Sequence, residues 1–222
     1  MKIILASGSP RRYDLLRQMG WEVIVHSLPF DEVETINDAR AQFENLQQQF
    51  LHSGQDSHIF SEQDMALLSP YKNADLVCAF NALGKGKATA LESGTETPVV
   101  SADTIVVLEN IILGKPADTA DARRMLAMLS GKSHQVKTAV AVRYLDKTLL
   151  QVVTTEVHFR ILTAPEIEWY AGTGEPMDKA GAYGIQGKGA VLVEKIEGSY
   201  DNVVGLPLTT VYEMFRRLNV PV

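Results

Sequence analysis

The sequence predicts an α/β protein built on a mixed sheet, and three observations carry that reading. Short apolar runs are interspersed with amphipathic helical stretches, no internal repeat is present, and two long alternating segments, 135–144 and 148–161, read as an antiparallel hairpin. A doubly wound parallel sheet would need regular βαβ alternation, which the chain lacks. At 222 residues it is a large single domain or two small lobes, long enough to bury roughly 70% of the surface its unfolded form exposes.

Taken in order, residues 2–6 form a short apolar run ending in small side chains. Ser9 then stands where a helix is capped, with Pro10 as the first helical position and Gly20 as the stop. Leu15, Leu16 and Met19 supply the buried stripe of that helix, and a second strand covers 22–26. From 33 to 72 the chain turns rich in glutamine, serine and aspartate, with a helix expected over 38–52 and a polar break over 53–57; this stretch reads as an insertion or lid. A helix resumes near Asn73, turning Leu76, Val77, Phe80 and Leu83 inward and carrying Lys85 and Lys87 near its far end.

Residues 98–102 form a buried strand ending at Asp103, which places that carboxylate where the strand leaves the core. Residues 104–108 continue extended to a turn at Glu109-Asn110 and the apolar run 111–113. Asp118 or Thr119 opens a helix that Gly131 closes. Thr163-Ala164-Pro165-Glu166 is a capping box for a helix reaching Ala171 and stopping at Gly172. A glycine-dense stretch over 178–187 precedes a strand over 190–196, and a terminal helix faces the core with Leu208, Val211, Tyr212, Phe215 and Leu218.

Composition narrows the function classes. The single cysteine, Cys78, excludes a disulfide framework within the chain and any zinc site of several thiolates. No run of about 18 apolar residues suggests a membrane span, and the amino-terminal apolar stretch is too short for a secretory signal, so a cytoplasmic protein is expected. A net charge of −6 argues against nonspecific nucleic-acid binding. A small anion remains open, because it needs only a few convergent cations; Arg11, Arg12, Lys85, Lys87, Lys115 and Lys179 are available.

Ser7-Gly8-Ser9-Pro10-Arg11-Arg12 combines a helix amino terminus, a glycine that permits close backbone approach and two forked cations, all suited to phosphate oxygens. A capped helix with two solvated arginines fits the same residues. Asp103 and Glu32 are the carboxylates that could hold a hard divalent cation or activate water, although Asp103 also suits a turn and Glu32 an acidic surface run. Lys115 and Lys179 lie in loops and could meet phosphate as point charges or simply be solvated. Gln186 could read a base edge through its amide or satisfy nearby backbone groups. Gly131-Lys132-Ser133 is a helix stop and not a P-loop, the five histidines show no ligand spacing, and no Gly-x-Ser-x-Gly elbow occurs.

The blocks 5–12, 101–106, 113–116, 129–131 and 178–187, with 198–200 and 202–207, closely resemble the Maf family of nucleotide pyrophosphatases. The resemblance covers nearly the whole chain outside 33–72. It implies one two-lobed domain over 1–222 of the Maf/inosine-triphosphate-pyrophosphatase type with a central cleft. It further implies hydrolysis between the α- and β-phosphates of a nucleoside triphosphate with Mg²⁺ or Mn²⁺, and a tendency toward homodimers. By motif position Ser9 and Arg12 contact phosphate, Glu32 and Asp103 serve metal and water with Asp103 as proton acceptor, and Lys87 and Lys115 neutralise charge; Arg11 and Lys179 are added as further phosphate-binding cations from their own positions. Arg12, Thr104 and Gln186 resemble the set of the branch preferring dTTP and UTP. The long 33–72 segment and the glycines around Lys85 depart from the family pattern. A nucleotide-binding regulator of cell division is the alternative from another class, and a phosphatase releasing orthophosphate is a third reading.

Overall fold

The computed structural model describes residues 1–53, 60–93 and 96–221. Its elements run β1 (Lys2–Leu5), α1 (Pro10–Gln18), β2 (Glu22–Val25), α2 (Ile36–Ser53), α3 (Glu62–Leu68), α4 (Ala74–Ser93), β3 (Val99–Leu108), β4 (Ile111–Leu113), α5 (Thr119–Leu129), β5 (Ser133–Tyr144), β6 (Lys147–Phe159), α6 (Ala164–Ala171), β7 (Val193–Glu197), α7 (Tyr200–Val204) and α8 (Leu208–Arg217). Three short 3₁₀ turns, Glu175–Asp178, Ala180–Ala182 and Gly187–Leu192, fill the chain between α6 and β7.

The sheet is mixed. Its order is β2-β1-β3-β5-β6-β7, with β4 also on β3. β1 pairs in parallel with β2 and β3, whereas β4 pairs antiparallel with β3 and β7 antiparallel with β6. β5 and β6 are neighbours joined through Leu145-Asp146, with Leu145 in the left-handed region at φ 55°. The chain divides into two compact units, residues 1–103, 139–152 and 205–222 in the first, 104–138 and 153–204 in the second.

In the first unit Ile3, Leu5, Leu16, Leu83 and Phe215 are fully enclosed. Phe30, Phe60 and Phe80 form an aromatic cluster with centroid separations of 4.9–6.2 Å, at distances where tilted and edge-on rings attract. In the second unit the apolar face of α5 (Ala122, Met125, Leu126, Leu129) packs with Val157, Phe159, Tyr170 and Leu192.

Several local readings change. Met19 is 40% and Tyr212 39% exposed, so the inward faces of α1 and α8 are narrower than their sequence stripes. The strand expected over 190–196 begins only at Val193, because Gly187–Leu192 winds into a 3₁₀ turn. The helix within 33–72 is present as α2, and a second one, α3, follows with Ser61 and Asp64 as a capping box. The polar break expected over 53–57 lies, beyond Ser53, outside the described residues.

The largest change concerns Asp103. It stands fifth in the ten-residue strand β3, between buried Ala102 and half-buried Thr104 with buried Ile105–Leu108 beyond, and is itself buried. A carboxylate in such a place must be paired or hydrogen-bonded.

Candidate functional site

The amino-terminal loop is organised by Ser7 and Arg12. Buried Ser7 Oγ accepts from the Ser9 N–H at 3.3 Å and from Arg12 Nη1 at 3.0 Å, and Arg12 Nε donates to the Gly205 carbonyl at 2.9 Å. Ser9 occupies the N-cap position of α1, yet its hydroxyl makes no capping bond, and the first turn carries no acidic residue. The positive end of α1 thus receives neither a capping hydroxyl nor a carboxylate from its own first turn. A Cβ on Gly8 would meet nothing within 4 Å, so packing does not demand glycine there. Burial pulls the Arg12 guanidinium below its ordinary pKa; Asp103 and Glu32 oppose that shift, and Arg11 adds to it. Arg12 thus shares one electrostatic neighbourhood with both candidate carboxylates.

Those carboxylates meet on a single ammonium. Lys85 Nζ lies 2.7 Å from Glu32 Oε2 and 2.8 Å from Asp103 Oδ1, with the lysine and aspartate side chains only 15% and 11% exposed. Asn81, one turn before Lys85 on the same face of α4, donates from Nδ2 to Asp103 Oδ2 at 3.3 Å. Two glycines let α4 come this close. A Cβ at Gly84 would stand 2.1 Å from the Phe30 ring, and one at Gly86 would stand 2.5 Å from Ser101 Oγ on β3. Ser101 Oγ in turn donates to the Ala82 carbonyl at 2.7 Å, binding strand to helix.

Lys87 points elsewhere. Its ammonium lies 2.7 Å from Asp64 Oδ2, whose side chain is 3% exposed and which also accepts from the Ser61 amide at 2.8 Å and hydroxyl at 2.6 Å. It is Lys85 that joins the two carboxylates, while Lys87, expected by motif position to neutralise charge, pairs with α3 of the 33–72 segment. Both lysines are turned inward, contrary to the solvated orientation usual for helical lysine.

In the second unit Thr104 Oγ1 lies 3.0 Å from Thr138 Oγ1, and Thr138 donates to the Asn202 carbonyl at 3.0 Å. Lys179 is engaged by Asp178 Oδ1 and the Glu175 carbonyl, each at 2.7 Å, and its aliphatic stem occupies the space a Cβ on Gly184 would need. Lys115 and Gln186 are both exposed.

The turn bearing Gln186 is held from beneath. Glu175 accepts from Tyr170 Oη at 3.0 Å and from the amides of Lys188 and Gly189 at 3.1 and 3.2 Å, while Tyr170 Oη accepts from the Gly184 amide at 3.1 Å. Burial raises the Tyr170 phenol above its ordinary range. His134 Nε2 bonds Tyr183 Oη at 2.8 Å, and both rings stand edge-on to Phe159. Burial, with a smaller contribution from His158, lowers the His134 pKa to about 4.

The residues of the first unit suit a hard divalent cation. Two carboxylates already gather around one positive charge, and Mg²⁺ or Mn²⁺ sites use one or two such groups together with substrate oxygens. Among the described residues no group of three or more histidine, cysteine or acidic side chains is placed to hold a metal ion.

A family model described as Maf-like protein matches residues 2–218. The chain belongs to the Maf family. Relatives with similar sequences include the dTTP/UTP pyrophosphatase of Salmonella typhimurium, 41% identical over 98% of this chain and 93% of the relative. That of Dictyoglomus thermophilum is 42% identical over 98% and 96%. That of Bacillus cereus is 41% identical over 100% and 97%. Among solved structures the Staphylococcus aureus Ham1 protein is similar over 72% of each chain at 13% identity, with a TM-score of 0.40.

Sequence reading named Glu32, Asp103 and Arg12, which the fold brings into one neighbourhood, and missed Asn81. The spacing of Asn81 and Lys85, four apart on one helix face, was the available signal.

Proposed function

We propose that this Maf protein hydrolyses the α–β phosphate bond of a pyrimidine nucleoside triphosphate, dTTP or UTP, releasing the monophosphate and pyrophosphate. The observation that carries the reading is the Glu32–Lys85–Asp103 cluster, electrostatically coupled to half-buried Arg12, in a chain about two-fifths identical to proteins named for that reaction.

The start of α1, with the positive end of its dipole, the Ser9 hydroxyl and the cations of Arg11 and Arg12, binds the phosphates. Asp103, fixed at both oxygens, accepts the proton of the attacking water. Lys85 neutralises charge beside it. Glu32 and Asp103 would hold Mg²⁺ or Mn²⁺, which supplies charge neutralisation to the polyphosphate. In the second unit Lys115 and Lys179 are assigned to phosphate charge, Thr104 and Gln186 to nucleotide recognition. Lys179 is the weakest of these, since its ammonium already has two partners.

The test is product analysis. Purified protein is incubated with Mg²⁺ or Mn²⁺ and a panel of nucleoside triphosphates. Monophosphate with pyrophosphate, fastest from dTTP and UTP, supports the proposal. Diphosphate with orthophosphate, or tight binding without turnover, overturns it.

A further inference from the structure

We infer that Asn81 is a positioning residue that sets Glu32 and Asp103 relative to each other, by gripping the peptide groups of Val33 with the same amide that holds Asp103. The inference rests on the reading of Glu32 and Asp103 as the reacting pair.

Asn81 lies inside α4 and is 3% exposed. Its Oδ1 accepts from the Val33 N–H at 2.9 Å, and its Nδ2 donates to the Val33 carbonyl at 2.9 Å and to Asp103 Oδ2 at 3.3 Å. A primary amide has two N–H donors, and both are spent. Only one orientation of the amide satisfies all three partners, because Val33 N–H needs an acceptor while the Val33 carbonyl and Asp103 need donors.

The paired contact to Val33 imitates one rung of a strand ladder, fixing the backbone immediately after Glu32. The third contact fixes one oxygen of Asp103, and Lys85, one turn along α4, fixes the other. A single helix face therefore sets the carboxylate of β3 and the backbone that carries the second carboxylate.

Helix formation gives no reason for asparagine at this place. It is a weaker helix former than leucine or alanine, and a buried amide must be fully bonded to be tolerated. The reason lies in its partners. Val33 is also the first residue of the 33–72 segment, so the grip fixes where that insertion leaves the site.

The experiment is a double-mutant cycle on the full chain, with kcat and KM for pyrophosphate release from dTTP. Asn81→Leu preserves size and removes every polar contact. It is expected to lower kcat by about 10–100-fold, the range found when groups that orient ligating carboxylates are removed, with KM changed less than about threefold. Combined with Glu32→Gln, the loss should fall well short of the product of the two separate losses, because Asn81 then has one carboxylate fewer to place. A product of the two losses, the outcome of a general weakening of the fold, would overturn the inference.

Amide exchange at Val33 gives a second readout that needs no turnover. Exchange should quicken at least about tenfold in Asn81→Leu, and unchanged exchange would overturn the grip. If Asn81→Leu does not fold, Asn81→Ser takes its place, since one hydroxyl is too short to span both Val33 groups. Wild-type protein that releases no pyrophosphate would sink the functional reading itself, while the Val33 exchange still judges the grip.

Discussion

The two units stabilise their candidate site residues by different means. In the first, charge is held by charge: Glu32 and Asp103 share Lys85, and the side chains involved project from regular elements or are pinned to one. In the second, backbone is held by side chain: Glu175 and Tyr170 collect the amides of Gly184, Lys188 and Gly189 and leave Gln186 exposed on the turn between them. A preorganised charge cluster acts on a developing transition-state charge. A shaped turn acts on what fits. Substitutions at the Glu32–Lys85–Asp103 cluster should therefore be read in turnover, and those at the second unit's turn in discrimination or stability.

The largest test of this contrast is Asp103→Asn, which keeps the shape of the side chain and removes the proton acceptor. Turnover should fall by at least about 10³-fold with the melting temperature little changed; near-normal steady-state rates would remove Asp103 from its assigned role.

The two lysines of α4 offer a sharper comparison within the first unit. Lys87→Ala leaves Asp64 buried without its cation and should cost about 3–5 kcal/mol in denaturant unfolding, while turnover per folded molecule stays near normal. Lys85→Ala should do the reverse, lowering kcat about 100-fold with a smaller change in stability. If Lys87→Ala instead lowers kcat in the folded protein, the assignment of the two lysines is inverted.

The second unit has its own signature in acid. His134 is held neutral in the fold, at about 4 against 6.5 for the free side chain, so the unfolded chain binds the extra proton between those values. The stability this represents is present above about pH 6.5 and is lost as pH falls toward 4, by of order 3 kcal/mol. Unfolding curves across that interval should slope less steeply in His134→Gln than in wild type. An identical slope would show that another group titrates.

The smallest expected effect is at Gln186. Gln186→Ala should raise KM for dTTP about tenfold, the worth of one or two hydrogen bonds, and narrow the preference over purine nucleotides with kcat nearly kept. Equal loss toward every nucleotide would mean that Gln186 supports the turn and reads no base.

Much of this was legible in the chain because local rules were obeyed. The mixed sheet, the Thr163 capping box, whose Thr163 amide and hydroxyl both donate to Glu166, and the glycine stop at Gly131 follow from periodicity and turn chemistry alone. What stayed hidden depended on partners distant in sequence. Lys87 was placed at the site by motif position, whereas its partner in the fold, Asp64, lies in the 33–72 segment, more than twenty residues earlier in the chain. Asp103 read as a strand end because a carboxylate inside an apolar strand is costly, and that cost is met by Asn81 and Lys85 from a helix some twenty residues away. Asn81 stands between apolar residues of α4, and its partners Val33 and Asp103 lie 48 and 22 residues away in the chain.

Gly84 and Gly86 carry a practical consequence for anyone wishing to make this protein more heat-resistant. Replacing helical glycines by alanine is among the simplest routes to a tougher variant, gaining up to about 1 kcal/mol each. Here the Phe30 ring and the Ser101 hydroxyl already occupy the space each new methyl would take. That route is closed along this stretch of α4, and thermostability must be engineered where the helix is not pressed against its neighbours.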